Sequence, residues 1–343
     1  MSDDLPARFA DEAALEDFLT APVPALVADL ARAPGDIIVL GVAGKMGPTL
    51  ARLAKRAVPE RRVVGVARFS EPGVGAVLER AGVETLQADL LDADAVERLP
   101  KLANVVFMAG RKFGASGDEP LTWAMNVHVP AMVARAFAAS RIVAFSTGCV
   151  YPFVPVASGG ATEETPPVPP PGAYANSCVG RERMFEHFSA RLGTAGRLFR
   201  LNYAIDLRYG VLHDVARKVL DGETIDLAMG HANVIWQGDA NALALRCLAH
   251  ATAPTTPINV TGPEIVSIRW LAGEFGRLFG RAPVFAGTEA PTGWLNNAAR
   301  MVAEFGPPSV PLATMIEWQA DWLLHGGATF GKPTHYEVRD GRY

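Results

Sequence analysis

The stretch Ile37 to Gly47, read as IIVLGVAGKMG, constrains the fold of this chain more than any other: an apolar run breaks into three evenly spaced glycines. Ile37, Ile38, Val39 and Leu40 are rich in β-branched side chains, as a strand buried on both faces requires. Gly41, Gly44 and Gly47 follow at GxxGxxG spacing, with Lys45 and Met46 between the last two, and Pro48 to Ala57 continues as a helix. Glycines permit a tight turn and let backbone amides approach a pyrophosphate, which the positive end of the next helix then favours. Glycine turns also arise for steric reasons alone, so the strand before and the helix after carry the reading.

From Ile37 onward strands and helices alternate. Strands are expected at Ile37–Leu40, Val63–Ala67, Glu84–Gln87, Asn104–Met108 and Arg141–Ser146, with helices in the gaps. That order predicts an α/β fold, a Rossmann-type doubly wound parallel sheet with a smaller C-terminal lobe. Residues 1–35 read as an N-terminal helical extension, with amphipathic helices over Ala13–Leu19 and Val23–Ala31. Residues 36–200 are expected to form the dinucleotide-binding domain. Residues 201–343 are expected to form mainly a substrate-binding lobe, with some elements returning to the first domain. In this second part IWQGDANALALRCLAHA reads as a short strand into a helix, and INVTGPEIVSIRWLAGEFGRLFG as strand, turn and helix. The proline-rich patch Thr165–Gly172 should be extended and stiff.

Composition narrows the partners. At 343 residues with 49% apolar and 20% charged residues, the chain can bury a large core. A formal net charge of -4 and a pI near 6.0 give no electrostatic footprint for nucleic acid or an anionic membrane. No apolar run reaches the roughly 18 residues that span a bilayer. The acidic N-terminus lacks the basic and apolar regions of a secretory signal, so a cytoplasmic location is expected. Cys149, Cys178 and Cys247 are an odd set without metal-ligand spacing, which predicts reduced thiols and no metal site.

The second strand ends about 20 residues after the glycine turn, where a dinucleotide fold places the residue that meets the adenosine ribose. An acidic residue there would accept from a free 2′-hydroxyl. Arg68 stands there instead, followed by Phe69 and Ser70, and a guanidinium suits a 2′-phosphate. Lys45 in the glycine turn is read the same way, so NADP is favoured over NAD. Asp89 and Leu90 after the third strand are placed to meet the adenine, although Asp89 also reads as a helix cap. Ala109 and Gly110 end the fourth strand as small residues that let a cofactor pass close.

The segments RIVAFSTGCVYP and AYANSCVGRERMFE, taken with Gly41xxGly44xxGly47, resemble the extended short-chain dehydrogenase/reductase family, the group of nucleotide-sugar epimerases and dehydratases. The resemblance runs from Ile37 to at least Gly262. It implies that Thr147 hydrogen-bonds the substrate oxygen and that Tyr174 opens the YxxxK helix and shuttles the proton, while the nicotinamide carbon takes or gives hydride. Asn126, in WAMNVHVP, matches an asparagine near the family's active site. The motif lysine, which holds the nicotinamide ribose and lowers the tyrosine's pKa, is replaced by Cys178. Arg181, at i+7 on the same helical face, and Lys112, just after the fourth strand, are candidates for the missing charge.

The family's dehydratases carry an acidic pair after the threonine, and this chain has Gly148 and Cys149, which argues against dehydration by that route. Cys149 before V-Y-P resembles the GDP-mannose 3,5-epimerases, whose cysteine moves a ring proton, but a buried small apolar role is the favoured reading, since free cysteine is among the most buried residue types. Cys149 and Cys178 are also candidates for joint oxidation. Lys112, Asn126, Arg200, Asn202, Trp236 and the tail GKPTHYEVRDGRY are candidate substrate contacts. The expected function is an NAD(P)-dependent oxidoreductase or epimerase acting on a sugar, sugar acid or nucleotide-sugar. The alternative is a weakened dinucleotide-binding sensor or scaffold, and the resemblance implies a homodimer.

Overall fold

The computed structural model describes residues 5–112 and 117–340. A seven-stranded sheet forms its centre. Strands β1 (Ile37–Leu40), β2 (Val63–Ala67), β3 (Glu84–Gln87), β4 (Asn104–Phe107) and β5 (Arg141–Thr147) are joined by β6 (Gly196–Leu201) and β7 (Thr256–Val260). The spatial order is β7-β6-β5-β4-β1-β2-β3, and every pair is parallel. The order reverses beside β1, and that reversal opens a crevice at the carboxyl ends of β1 and β4. All four residues of β1 are buried because apolar layers cover both sheet faces.

The helices before the sheet are α1 (Glu12–Leu19) and α2 (Pro24–Arg32). Asp11 caps α1 by accepting from Ala14 N at 2.8 Å. Leu26 and Leu30 of α2 enter the core on one sheet face, whereas Leu15 and Leu19 of α1 join a separate core in the C-terminal lobe. The extension therefore ties the two cores together. Helix α3 (Gly47–Ala57) follows the glycine turn, and α4 (Val74–Arg80) and α5 (Ala93–Arg98) complete the first half of the wound sheet.

Between β4 and β5 the chain forms α6 (Glu119–Trp123), a π-helical turn over Ala124–His128 and α7 (Val129–Ala136). Helix α8 (Ala173–Leu192) then spans the same face after the proline-rich loop. Helices α10 (Gln237–Arg246) and α12 (Ala299–Phe305) return to the sheet and pack into its core, and the lobe is built on α9 (Val211–Asp221), α11 (Ile268–Phe279) and α13 (Leu312–Leu324). Its centre is aromatic: Trp236 stacks with Phe9, and Trp318 meets both edge-on. Trp236 is thus a core residue, 2% exposed, and not the substrate contact expected of it. Among the described residues no helix is long and apolar enough to cross a membrane.

Candidate active site

The glycine turn is shaped by two collisions that only glycine avoids. Gly41 has φ +89, and a Cβ there would lie 2.6 Å from the backbone nitrogen of Ala109 at the end of β4. A Cβ on Gly47 would fall inside the carbonyl of Val42, so the turn must fold back on itself without side chains. Gly44, by contrast, faces open space apart from the carbonyl of Gly41. The residue before α3, Met46, provides no side-chain cap, while Gly47 N donates to Gly44 O and Pro48 has no N–H, so Thr49 carries the first amide of the turn that neither of these accounts for. An uncapped helix start behind a bare glycine turn fits the pyrophosphate of a dinucleotide.

A cavity of about 760 Å³ lined by Gly44, Lys45, Thr49, Arg80, Arg208 and Lys332 opens at this turn, and two smaller ones adjoin the turn as well. The first, of about 230 Å³, is lined by Gly41, Gly44, Arg68, Asp89, Leu90 and Ala109, with Gly110 beside them. Asp89 also accepts from Leu91 N at 3.0 Å, so its carboxylate shapes the loop as well as the cavity wall. Arg68 is exposed, and Phe69 next to it has φ 50, a left-handed backbone that turns the strand end toward the cavity.

The second cavity, of about 210 Å³, lies on the other side of the turn and brings together Lys45, Lys112, Thr147, Cys149, Tyr174 and Asn202. Tyr203, Tyr209 and Gln237 from the lobe line it too, as does Thr334 from the C-terminal tail. Thr147 ends β5, and its hydroxyl accepts from Cys149 N at 3.2 Å. Tyr174 lies in the first turn of α8 within hydrogen-bonding contact of Thr147. Its phenol is pushed well above the usual tyrosine range, first by burial and then by the nearby thiols of Cys178 and Cys149, while Arg181 and Thr147 pull it down. The phenol is therefore held protonated at neutral pH in the chain alone.

Lys45 sits differently from its expected place. Its Nζ lies 3.5 Å from the centre of the Tyr209 ring, inside the second cavity rather than beside Arg68. Burial lowers its pKa to about 8, helped by repulsion from Lys112 and Lys332 and opposed by Asp214. Arg68 is consequently left without Lys45 as the cation for a 2′-phosphate. Lys112 donates to Thr334 O at 3.2 Å and lies 5.8 Å from the Tyr174 ring centre, its pKa lowered chiefly by burial. The tail thus closes one wall: Thr334 bonds the Asp214 carboxylate, and Arg339 reaches Thr292 and stacks over Phe153. The last three residues of the expected contact segment, Gly341 to Tyr343, lie outside the described residues.

Four other expected site residues have structural duties. Cys178 is fully buried among Val150, Tyr151, Ala161 and Tyr174, and burial lifts its thiol to about 11, so it packs α8 against the post-β5 loop and does not reach the cavity. The described cysteines are all free and buried, with no disulfide between Cys149 and Cys178. Arg200 is 2% exposed and clamps Glu182, which excludes the substrate contact expected of it. Asn126, also fully buried, accepts from Arg111 N and donates to Ser177 and Arg111 O, which fixes the π-helical turn to the β4 loop. Gly110 is small for a second reason: a Cβ there would run into the guanidinium of Arg181.

Tyr203, Tyr209 and Gln237 were not marked by the sequence, and Thr334 was marked only as part of the tail. Tyr203 carries φ 46, and Tyr209 follows a turn closed by Asp206 and Tyr209 backbone bonds. Only the folded lobe brings them to Tyr174. Among the described residues no group of three or more His, Cys, Asp or Glu is placed to hold a metal ion.

Comparison with known proteins agrees with this fold. The family model for the NAD dependent epimerase/dehydratase family matches residues 37–241. No curated protein matches the chain in sequence. Among solved structures, the Thermus thermophilus UDP-glucose 4-epimerase in complex with NAD is 20% identical, with a TM-score of 0.69 over 85% of this chain and 99% of that one. The dTDP-glucose 4,6-dehydratase of Streptomyces venezuelae, with NAD bound, is 20% identical at a TM-score of 0.70, covering 85% of this chain and 97% of that one. The UDP-glucuronic acid 4-epimerase of Bacillus cereus, in complex with UDP-glucuronic acid and NAD, is 17% identical at 0.70, covering 84% and 99%. With the glycine turn, the Thr147–Tyr174 pair and a model match from β1 into α10, this chain belongs to the NAD dependent epimerase/dehydratase family.

Proposed function

We propose that this protein is an NAD(P)-dependent oxidoreductase or epimerase acting on a hydroxyl or carbonyl carbon of a nucleotide-linked sugar or sugar acid. The observation that carries the reading is the contact of Thr147 with Tyr174 in the wall of the 210 Å³ cavity. The 230 Å³ cavity would hold the adenosine half of the dinucleotide, with Gly41, Gly44 and Gly47 under its pyrophosphate and Arg68 beside the ribose. Arg68 supports NADP over NAD. When bound, the nicotinamide gives or takes the hydride.

The side chains move the proton. Thr147 would hold the substrate oxygen, and Tyr174 would give its phenolic proton to that oxygen during reduction or accept one during oxidation. Asn202 and Lys45 line the wall opposite, where the sugar would lie. Cys149 is 6% exposed and lines the same cavity, so a thiol is available beside a transient ketone in the epimerase reading. Helices α6 to α8 present Trp123 at 42% exposure, which supports a homodimer through that face.

The test is turnover. Purified protein should be incubated with NAD or NADP and UDP-glucose, UDP-glucuronic acid or dTDP-glucose, with products separated by chromatography and nicotinamide reduction followed by absorbance. Conversion of at least one nucleotide-sugar is expected, and dinucleotide binding without conversion of any would favour the sensor reading. Nucleotide-sugars are anionic, and Lys45 loses its proton as pH rises through about 8. KM should therefore rise between pH 7 and pH 9 for the wild type, and Lys45→Gln should flatten that limb. An unchanged limb in Lys45→Gln would remove Lys45 from substrate binding.

A further inference from the structure

The cations near Tyr174 are of two kinds. Arg181 and Arg200 belong to the framework. Arg181 donates to Phe145 O at 2.8 Å and to Asn126 Oδ1 at 2.7 Å and lies over the Phe107 ring, and Arg200 clamps Glu182. Neither lines any of the three cavities at the glycine turn. Lys45 and Lys112, in contrast, reach the 210 Å³ cavity together, one from the glycine turn and the other from the loop after β4.

Each amine is seated on a residue of the cavity wall. Lys45 Nζ lies 3.5 Å from the centre of the Tyr209 ring. Lys112 Nζ donates to Thr334 O at 3.2 Å and lies 5.8 Å from the centre of the Tyr174 ring. A ring face and a carbonyl orient an amine and leave its positive charge in place. Asp214 attracts both amines and Glu337 attracts Lys112, but neither carboxylate is part of the lining. Asp214 also accepts from Thr334 N at 2.8 Å and from Thr334 Oγ1 at 2.5 Å. The two lysines repel one another, and an anion bound in the same cavity relieves that repulsion.

Space decides whose charge that anion is. At about 210 Å³ the cavity falls below the roughly 300–1,000 Å³ of sites that enclose a drug-sized ligand. It takes one sugar ring beside Thr147 and Tyr174, and the phosphates of a nucleotide lie beyond it. Sugar hydroxyls are served by neutral side chains such as Thr147 and Asn202, whereas two amines suit a carboxylate.

We infer that the ring acted on in this cavity carries a carboxylate, which Lys45 and Lys112 hold, so that the substrate is a sugar acid, free or nucleotide-linked, and not a neutral sugar. The inference rests on the reading of Thr147 and Tyr174 as the groups that act on the sugar oxygen. Lys112 lines this cavity alone, whereas Lys45 also lines the 760 Å³ one, which makes Lys112 the residue to change.

The test compares matched ligands. D-glucuronate against D-glucose, and UDP-glucuronic acid against UDP-glucose, are titrated calorimetrically into the full chain with NAD or NADP present. Each acid should bind at least about 10-fold more tightly than its neutral counterpart. Lys112→Met should erase most of that preference and Lys112→Arg should keep it, with dinucleotide affinity unchanged in both. Equal affinity within each pair, or binding of none of the four, would overturn the inference, and this wild-type comparison decides even where Lys112→Met does not fold. A preference that survives Lys112→Met while dinucleotide affinity falls would overturn it as well, because the lysine would then serve the cofactor. An acid preference with no conversion of either acid would keep the carboxylate site and discard the hydride-transfer reading. Conversion of UDP-glucose at the kcat/KM of UDP-glucuronic acid would keep that reading and discard the carboxylate site.

Discussion

Tyr174→Phe should lower turnover of whichever nucleotide-sugar the protein converts by about 100- to 10,000-fold, while dinucleotide affinity and the thermal midpoint stay close to wild type. The phenol is in contact with Thr147, carries a transferable proton and lines the 210 Å³ cavity. Removing its oxygen takes away the proton donor and leaves the ring packed against Ala175, Cys149 and Trp294 as before. Thr147→Val should give a smaller loss, because in the proposed mechanism the hydroxyl would orient the substrate oxygen without exchanging its own proton in the overall step. Steady-state rates with calorimetric dinucleotide affinities separate the two. Unchanged turnover in Tyr174→Phe would show that another group moves the proton.

Glu182→Gln is expected to destabilise the chain by about 3–5 kcal/mol, since it strands a buried guanidinium. Glu182 is fully buried and Arg200 is 2% exposed, and two bonds of 2.9 and 2.7 Å join them. Ser146 donates to the same carboxylate at 2.6 Å, and Arg200 continues to Tyr151, which donates to Asn259 at 2.8 Å. This chain of bonds links α8 to β5, β6 and β7 directly beneath Thr147 and Tyr174. The urea midpoint should fall accordingly. Replacing both partners, Glu182→Leu with Arg200→Met, should cost less than Glu182→Gln alone, because no unpaired charge remains. A double variant as unstable as the sum of the singles would mean that packing and not charge pairing dominates there.

The central strands were legible because each is a short apolar run between turn residues, and β1, β2 and β3 have the bounds their side chains suggest. The pair Thr147–Tyr174 was singled out by the resemblance of RIVAFSTGCVYP and AYANSCVGRERMFE to the short-chain dehydrogenase/reductase family, and the fold brings the two side chains into contact. Lys45 was not legible. Its direction is decided by the Tyr209 ring, which arrives from the lobe only after the fold closes. Arg200 and Trp236 looked available for substrate because charge and aromaticity suit sugars, yet Glu182 claims one and the Phe9–Trp318 cluster the other. Such long-range partnerships leave no mark on local pattern. The i+7 spacing of Arg181 was visible in the sequence, whereas the reason for Gly110 beside it required coordinates.

The most direct measurement is calorimetric titration of the purified chain with NAD, NADP and their reduced forms, after denaturation of a separate sample to identify any dinucleotide it already carries. The account predicts one dinucleotide per chain, with NADP the tighter and with that preference lost in Arg68→Ala. Tighter NAD would overturn the role given to Arg68 alone. No retained dinucleotide and no binding of any of the four forms would contradict the hydride-transfer account itself.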